Sequence, residues 1–128
     1  MEYSRDKGEW QPFLEYTVVG KPRVKKRPRM GKHGVYTPKV TTQWETQIRE
    51  ELAMHMSKNK IPMICEEPVS AGLYFNRPAG DLDNLVKAVL DAMNKVVYND
   101  DRIVVDLYAG KGFDVHGVRI SLSVLRQC

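Results

Sequence analysis

The stretch PAGDLDNLVKAVLDAM, Pro78–Met93, sets Asp81, Asp83 and Asn84 directly ahead of an apolar run. Leu85, Val86, Val89, Leu90, Ala92 and Met93 recur at helical spacing, which predicts a helix over about Asn84–Asn94 with that stripe buried. Its polar edge then carries Asn84, Lys87, Asp91 and Lys95. Ordinary helix chemistry gives each charge a task. Asp83 stands where an N-cap belongs, Asp81 favours the positive end of the helix dipole, and Lys87 with Asp91 makes an i,i+4 ion pair worth about 0.2–0.5 kcal/mol. That account suits one acid ahead of a helix better than two acids and an Asn.

More acid follows the helix. VVYNDDRIVV places Asp100 and Asp101 just before an apolar, β-branched run. A turn in which Asn99 and Asp100 bond to the backbone explains one of these residues better than both. If Asp101 converges on Asp81 and Asp83, three carboxylates share a site. At an effective dielectric near 20, two charges about 4 Å apart repel by roughly 4 kcal/mol, so such a cluster needs protons or a cation. Oxygen ligands without sulfur or imidazole favour Mg²⁺ or Mn²⁺ over zinc. An EF-hand loop beginning at Asp81 fails, because Val86 and Ala92 stand where Gly and Glu are needed. A phosphoaspartate enzyme would need a larger α/β chain with βαβ repetition.

Upstream the charge reverses. From Lys21 to Lys39, KPRVKKRPRMGKHGVYTPK, eight residues are Lys or Arg and none is acidic, leaving 12 basic against 16 acidic residues elsewhere. The net charge of +4 is therefore a +8 segment on a −4 body. Pro22, Pro28 and Pro38 interrupt any helix, and Gly31 and Gly34 permit turns, so an exposed basic loop over residues 21–39 is expected. Arg23, Arg27 and Arg29 offer forked donors for phosphate, joined by Lys21, Lys25, Lys26 and Lys32, while His33 and Tyr36 interleave rings able to stack on a base.

The remaining chain of 128 residues suits a single domain. A mobile head over Met1–Pro12 precedes a strand over Phe13–Gly20. A first helix runs from an N-cap at Thr41 or Thr42 to about Met56, with Trp44, Ile48 and Leu52 on its apolar side. PVSAGLYFNR alternates Val69, Ala71, Leu73 and Phe75 on one strand face. RIVVDLYAG and VHGVRISLSVL read as two strands paired antiparallel across the turn at Gly110–Gly112. The class expected is α+β, a small mixed sheet in the order β-α-β-α-β-β with both helices packed on it. Cys65 and Cys128 have no Cys/His cluster beside them, and no apolar run is long enough for a membrane span or a signal peptide, so an intracellular, cytoplasmic protein is expected.

GDLDNLVKAVLDAMNKVVYNDDRIV closely resembles the signature of the RusA family of Holliday-junction resolvases, an Asp-x-Asp-Asn-x-x-Lys helix start with a downstream Asp-Asp. GKPRVKKRPRMGKHGVYTPKVTTQWE is similar to that family's basic segment, and the likeness extends from about Val18 to the final strands. The resemblance implies a Mg²⁺-dependent endonuclease acting as a homodimer on four-way DNA junctions. Position by position, it implies that Asp81, Asp83 and Asp101 hold the metal and that Lys87 is the essential lysine. The first helix and the strand at Val69–Phe75 offer candidate dimer surfaces. Two other readings stay open: a metal-dependent nuclease on other branched DNA, and a DNA-binding module whose acids are structural.

Overall fold

The computed structural model describes residues 8–20, 29–31, 34–36, 39–76 and 81–127. Its elements, in chain order, are β1 (Gly8–Val19), β2 (Arg29–Gly31), β3 (Gly34–Tyr36), α1 (Lys39–Lys58), β4 (Val69–Phe75), α2 (Leu82–Met93), β5 (Val104–Gly110) and β6 (Gly117–Gln127). The expected α+β order holds, with a short hairpin added. Strands β1, β6, β4 and β5 lie side by side in that order, and β2 pairs with β3 separately.

The core forms between one sheet face and the two helices. Val69, Ala71, Leu73 and Phe75 of β4 lie beside Val124, Leu122, Ile120 and Val118 of β6, so the buried residues of both strands share a face. Trp44, Ile48, Leu52 and Met56, four residues apart on α1, and Leu85, Val86, Ala88, Val89, Ala92 and Met93 of α2 join them in one buried cluster. Fully burying a Leu, Val or Met side chain contributes about 1.5–3 kcal/mol, so each helix is held mainly by this stripe. Leu90, expected in the stripe, is only half-buried, and Ala88 takes the place against the core.

Several boundaries move. β1 begins at Gly8, inside the expected mobile head, because β6 is long enough to pair with it back to Gly8↔Gln127. α1 starts at Lys39, two residues ahead of the expected Thr cap, and runs to Lys58. The basic segment is not wholly a loop, since Arg29–Gly31 pairs with Gly34–Tyr36 across the Gly31↔Gly34 turn. Lys21, Arg23, Lys25, Lys26, Arg27 and Lys32 fall outside the described residues.

The largest correction concerns the last two strands. β5 and β6 are not antiparallel neighbours: β4 lies between them, parallel to β5 and antiparallel to β6. Helix α2 carries the chain from β4 to β5 as a crossover, which makes those strands parallel. The following connection then passes the end of β4, where the Phe113 N–H donates to the Phe75 carbonyl at 3.0 Å and the Gly112 N–H to that of Asn76. This correction also removes Val69–Phe75 as a dimer surface, because β4 is an interior strand with its apolar face covered.

Candidate active site

Helix α2 begins at Leu82, two residues ahead of the expected start at about Asn84. Asp81, not Asp83, is the N-cap, with extended backbone at φ −80° and ψ 137° and its carbonyl accepting the Leu85 N–H at 3.1 Å. Its carboxylate makes no capping hydrogen bond and is exposed. Asp83 sits in the first turn, exposed, its Oδ1 accepting the Asn84 backbone N–H at 3.0 Å. Asn84 thus serves Asp83 through its backbone. Carboxylates in this first turn meet the positive end of the helix dipole.

Asp83, Lys87 and Asp91 are spaced four residues apart and form one stripe along the helix. Lys87 is two-thirds exposed, and its Nζ lies 4.0 Å from Oδ2 of Asp91, whose side chain is largely buried. The expected ion pair is therefore present. Arg49 of α1 donates to the Asp91 carbonyl at 3.3 Å, tying that end of α2 to the first helix.

The chain then reverses so that the second acidic pair comes back along α2. Asn94 closes the helix, and Lys95 adopts a left-handed φ of 68°. Tyr98 is fully buried and donates its hydroxyl to the Leu90 carbonyl at 2.9 Å. Burial, with the nearby carboxylates of Asp101, Asp91 and Asp100, pushes the Tyr98 phenol far up, so it remains a neutral donor. The connection after α1 clamps this segment from outside: Ile64 donates to Val97 at 2.8 Å, and Asn99 donates to Ile64 at 3.1 Å. Asp100 caps a 3-10 turn over Asp101–Ile103, its Oδ1 accepting the Arg102 N–H at 3.1 Å. That bond holds the Asp100 carboxyl below its ordinary range.

Asp101 is half-buried, and its carboxyl is pushed up. Desolvation is the largest cause, followed by its hydrogen bond and repulsion with Asp100 and by repulsion from Asp91, while Lys87 pulls the other way. Lys87 accordingly stands among carboxylates from two segments. Asp91 is the residue that sequence reasoning left out of the site, because an i,i+4 partner for Lys87 already explained it; the available signal was its place in the Asp83, Lys87, Asp91 stripe.

Asp81, Asp83 and Asp101 do not meet at one point. Among the described residues, no group of three or more His, Cys, Asp or Glu side chains is gathered to hold a metal ion. Asp81 and Asp83 lie at the start of α2, whereas Asp101 is set against Lys87 and Asp91, and Asp83 to Asp91 spans about 12 Å of helix at 1.5 Å per residue. The donor set nonetheless fits a hard divalent cation: it is all carboxylate, and Asp101 meets two further negative charges that a cation would offset.

Residues 16–124, from within β1 to within β6, match the family described as Endodeoxyribonuclease RusA. The chain belongs to the RusA family. Uncharacterized protein YqaN of Bacillus subtilis (strain 168) is 28% identical to it over 126 aligned residues, covering 77% of this chain and 86% of that relative. The RusA match takes in both acidic pairs, Lys87 and the whole basic segment. No helix among the described residues is long and apolar enough to cross a membrane.

Proposed function

We propose that this chain is a Mg²⁺-dependent endonuclease that resolves four-way DNA junctions by paired phosphodiester hydrolysis, acting as a homodimer in recombination and repair. The observation that carries the reading is the position of Lys87. One turn upstream on its helix stripe is Asp83, one turn downstream is Asp91, and Asp101 comes alongside from the next segment. Asp81, Asp83 and Asp101 are the residues that would hold the cation, with Mn²⁺ able to substitute. When bound, the cation supplies neutralisation of the phosphoryl oxygens and a more acidic water.

The chain's own groups do the rest. In-line attack of water on phosphorus breaks the ester P–O bond, and negative charge grows on the non-bridging and leaving oxygens. The Lys87 ammonium, paired with Asp91, is a protein cation placed to meet that charge. Lys87→Ala is expected to lower junction cleavage by about 100-fold or more with junction binding retained in a gel-shift assay. Unaltered turnover would return this lysine to an ordinary helix surface.

The basic segment supplies position on the phosphate backbone, not sequence readout. With about six phosphates neutralised, log affinity should fall against log salt with a slope near −5. Replacing Arg27 and Arg29 with Ala is expected to weaken binding to every DNA tested and to flatten that slope by about 2. A slope that does not move would mean the segment is merely solvated.

The deciding experiment compares a mobile four-way junction, linear duplex and a flap as substrates, with and without Mg²⁺. Paired nicks at the junction only with Mg²⁺ support the reading. Cleavage confined to the flap, or binding without cleavage, rejects it.

A further inference from the structure

The basic segment leaves the sheet at one point, and that point is held from two sides. β1 ends at Val19, and Gly20 and Lys21 follow. Gly20 donates its N–H to the His116 carbonyl at 3.1 Å, and the neighbouring Gly117 carbonyl accepts the Asn76 N–H at 3.3 Å. Asn76 follows β4 on the way to Asp81. The start of the basic segment and the approach to α2 therefore adjoin at one end of the sheet.

The second hold is a polar cluster that the proposed reaction does not use. β1 is an edge strand, and Gln47 of α1 reaches its end: Nε2 donates to the Val19 carbonyl at 2.8 Å and to the Glu51 carboxylate at 2.7 Å. Both neighbours can only accept, which turns the amide nitrogen toward them and uses both of its N–H groups. Glu51 also accepts the Tyr16 hydroxyl at 2.8 Å, and the His55 ring packs on Tyr16 with centroids 4.9 Å apart. The bond to Glu51, with burial, pushes the Tyr16 phenol up, so it stays a neutral donor. Hydrogen bonds to a charged carboxylate are about twice as strong as neutral ones, which suits the cluster to a fixed geometry. Gln47 and Glu51 are half-buried and lie outside the buried apolar cluster, so the core does not depend on them.

We propose that Gln47, Glu51 and Tyr16 are positioning residues that hold the start of the basic segment in register with Lys87, a role that rests on the nuclease reading. Helix α1 is the bar between the two. Gln47 reaches β1, and Arg49, about 200° further round the helix at 3.6 residues per turn, donates to the Asp91 carbonyl on α2. Asp91 is the ion-pair partner of Lys87. One helix thus joins the root of the basic segment to the candidate site by a hydrogen bond on each side. Charge sets how tightly the segment binds phosphate, whereas the cluster sets where the bound backbone lies relative to Lys87.

Two variants break the cluster without removing a cation. Gln47→Leu keeps the helix propensity of α1, and Glu51→Ala takes away the shared acceptor. For both, single-turnover cleavage of a saturating four-way junction in Mg²⁺ is expected to fall about 10- to 100-fold, while junction affinity and its salt slope stay within about twofold. Glu51→Gln keeps an acceptor for Gln47 and can donate to the Tyr16 oxygen, so it should retain most of the cleavage. A second measurement involves no DNA. In a Cys128→Ser background, spin labels on Met30→Cys, in β2, and on the exposed Cys65 report one distance. Its distribution is expected to widen in the Gln47→Leu and Glu51→Ala proteins and to stay narrow in the parent and in Glu51→Gln. An unchanged distribution in both loss variants overturns the proposal, as does an affinity loss that matches the loss in rate, which would make Gln47 and Glu51 DNA contacts. Widening in a chain whose parent cuts no DNA rejects the nuclease reading and supports the hold on the segment; unchanged widths in a chain that cuts junctions reject the hold alone.

Discussion

Asp101→Asn protein is expected to lose about 10³-fold or more of its Mg²⁺-dependent junction cleavage and, in metal-free buffer, to unfold at a higher temperature than the wild type. The substitution keeps the size of the side chain and removes its charge. Loss of cleavage follows from withdrawing a carboxylate from a site that must hold a cation and direct it at the phosphate. The gain in stability follows from geometry. Asp101 is half-buried, bonded to Asp100 and repelled by Asp100 and Asp91, so its ionised form is less welcome in the folded chain than in the unfolded one. For an acid whose folded pKa is raised, the penalty is absent below its ordinary value and grows as pH rises through the folded value. The advantage of Asn should therefore be present at neutral pH and disappear in acid. Partial exposure screens these charges, so about 1 kcal/mol, or a few degrees in melting midpoint, is the scale. Asp81→Asn and Asp83→Asn should lose cleavage similarly but gain no stability, since their carboxylates are exposed at the favourable end of the α2 dipole. Single-turnover cleavage and thermal melts in chelator check both arms. Retained cleavage by the Asp101→Asn protein sinks its place in the site, and a lowered midpoint sinks the repulsion account.

The parts of this molecule that were legible in the sequence are those that periodicity encodes. Four-residue spacing from Trp44 to Leu52, alternation from Val69 to Phe75 and the Leu85–Met93 stripe each name one buried face, and each is buried as read except at Leu90, where Ala88 meets the core instead. Periodicity does not say which strand lies next to which. Gly110–Gly112 looks like a hairpin turn between two apolar runs, yet that link instead passes the end of β4, a neighbour choice made by the α2 crossover. Helix starts are ambiguous for a related reason, because Asp81 and Asp83 are equally good caps and two residues of backbone decide between them. At the site, each acidic pair stood out as an excess over what caps and turns require. Asp91 did not, because a surface ion pair accounted for it completely until Asp101 came to lie beside it.

Where neighbour choice is made, one glycine is decisive, and Gly117→Ala is expected to destabilise the chain by about 3 kcal/mol or more, lowering its melting midpoint by about 10 °C. Gly117 opens β6 as that strand enters between β1 and β4, opposite Val19 on one side and accepting the Asn76 N–H at 3.3 Å on the other. Its φ of 132° is one that residues with a Cβ rarely adopt. A Cβ there would also lie 2.0 Å from the Val18 carbonyl oxygen and 3.0 Å from that of Gly20, both backbone atoms that cannot swing aside. Gly20 provides the comparison that separates the two costs. Its φ is 135°, yet an added Cβ meets nothing nearer than the Gln47 side chain at 3.6 Å. Gly20→Ala should therefore register backbone strain alone, about 1–2 kcal/mol, and Gly117→Ala that strain together with the opening of the β1–β6 ladder. Thermal and denaturant unfolding of the two proteins measures the difference. Equal losses would mean that the strand tolerates the Cβ, and that the close approach of β6 to β1 is not what fixes its place beside β4.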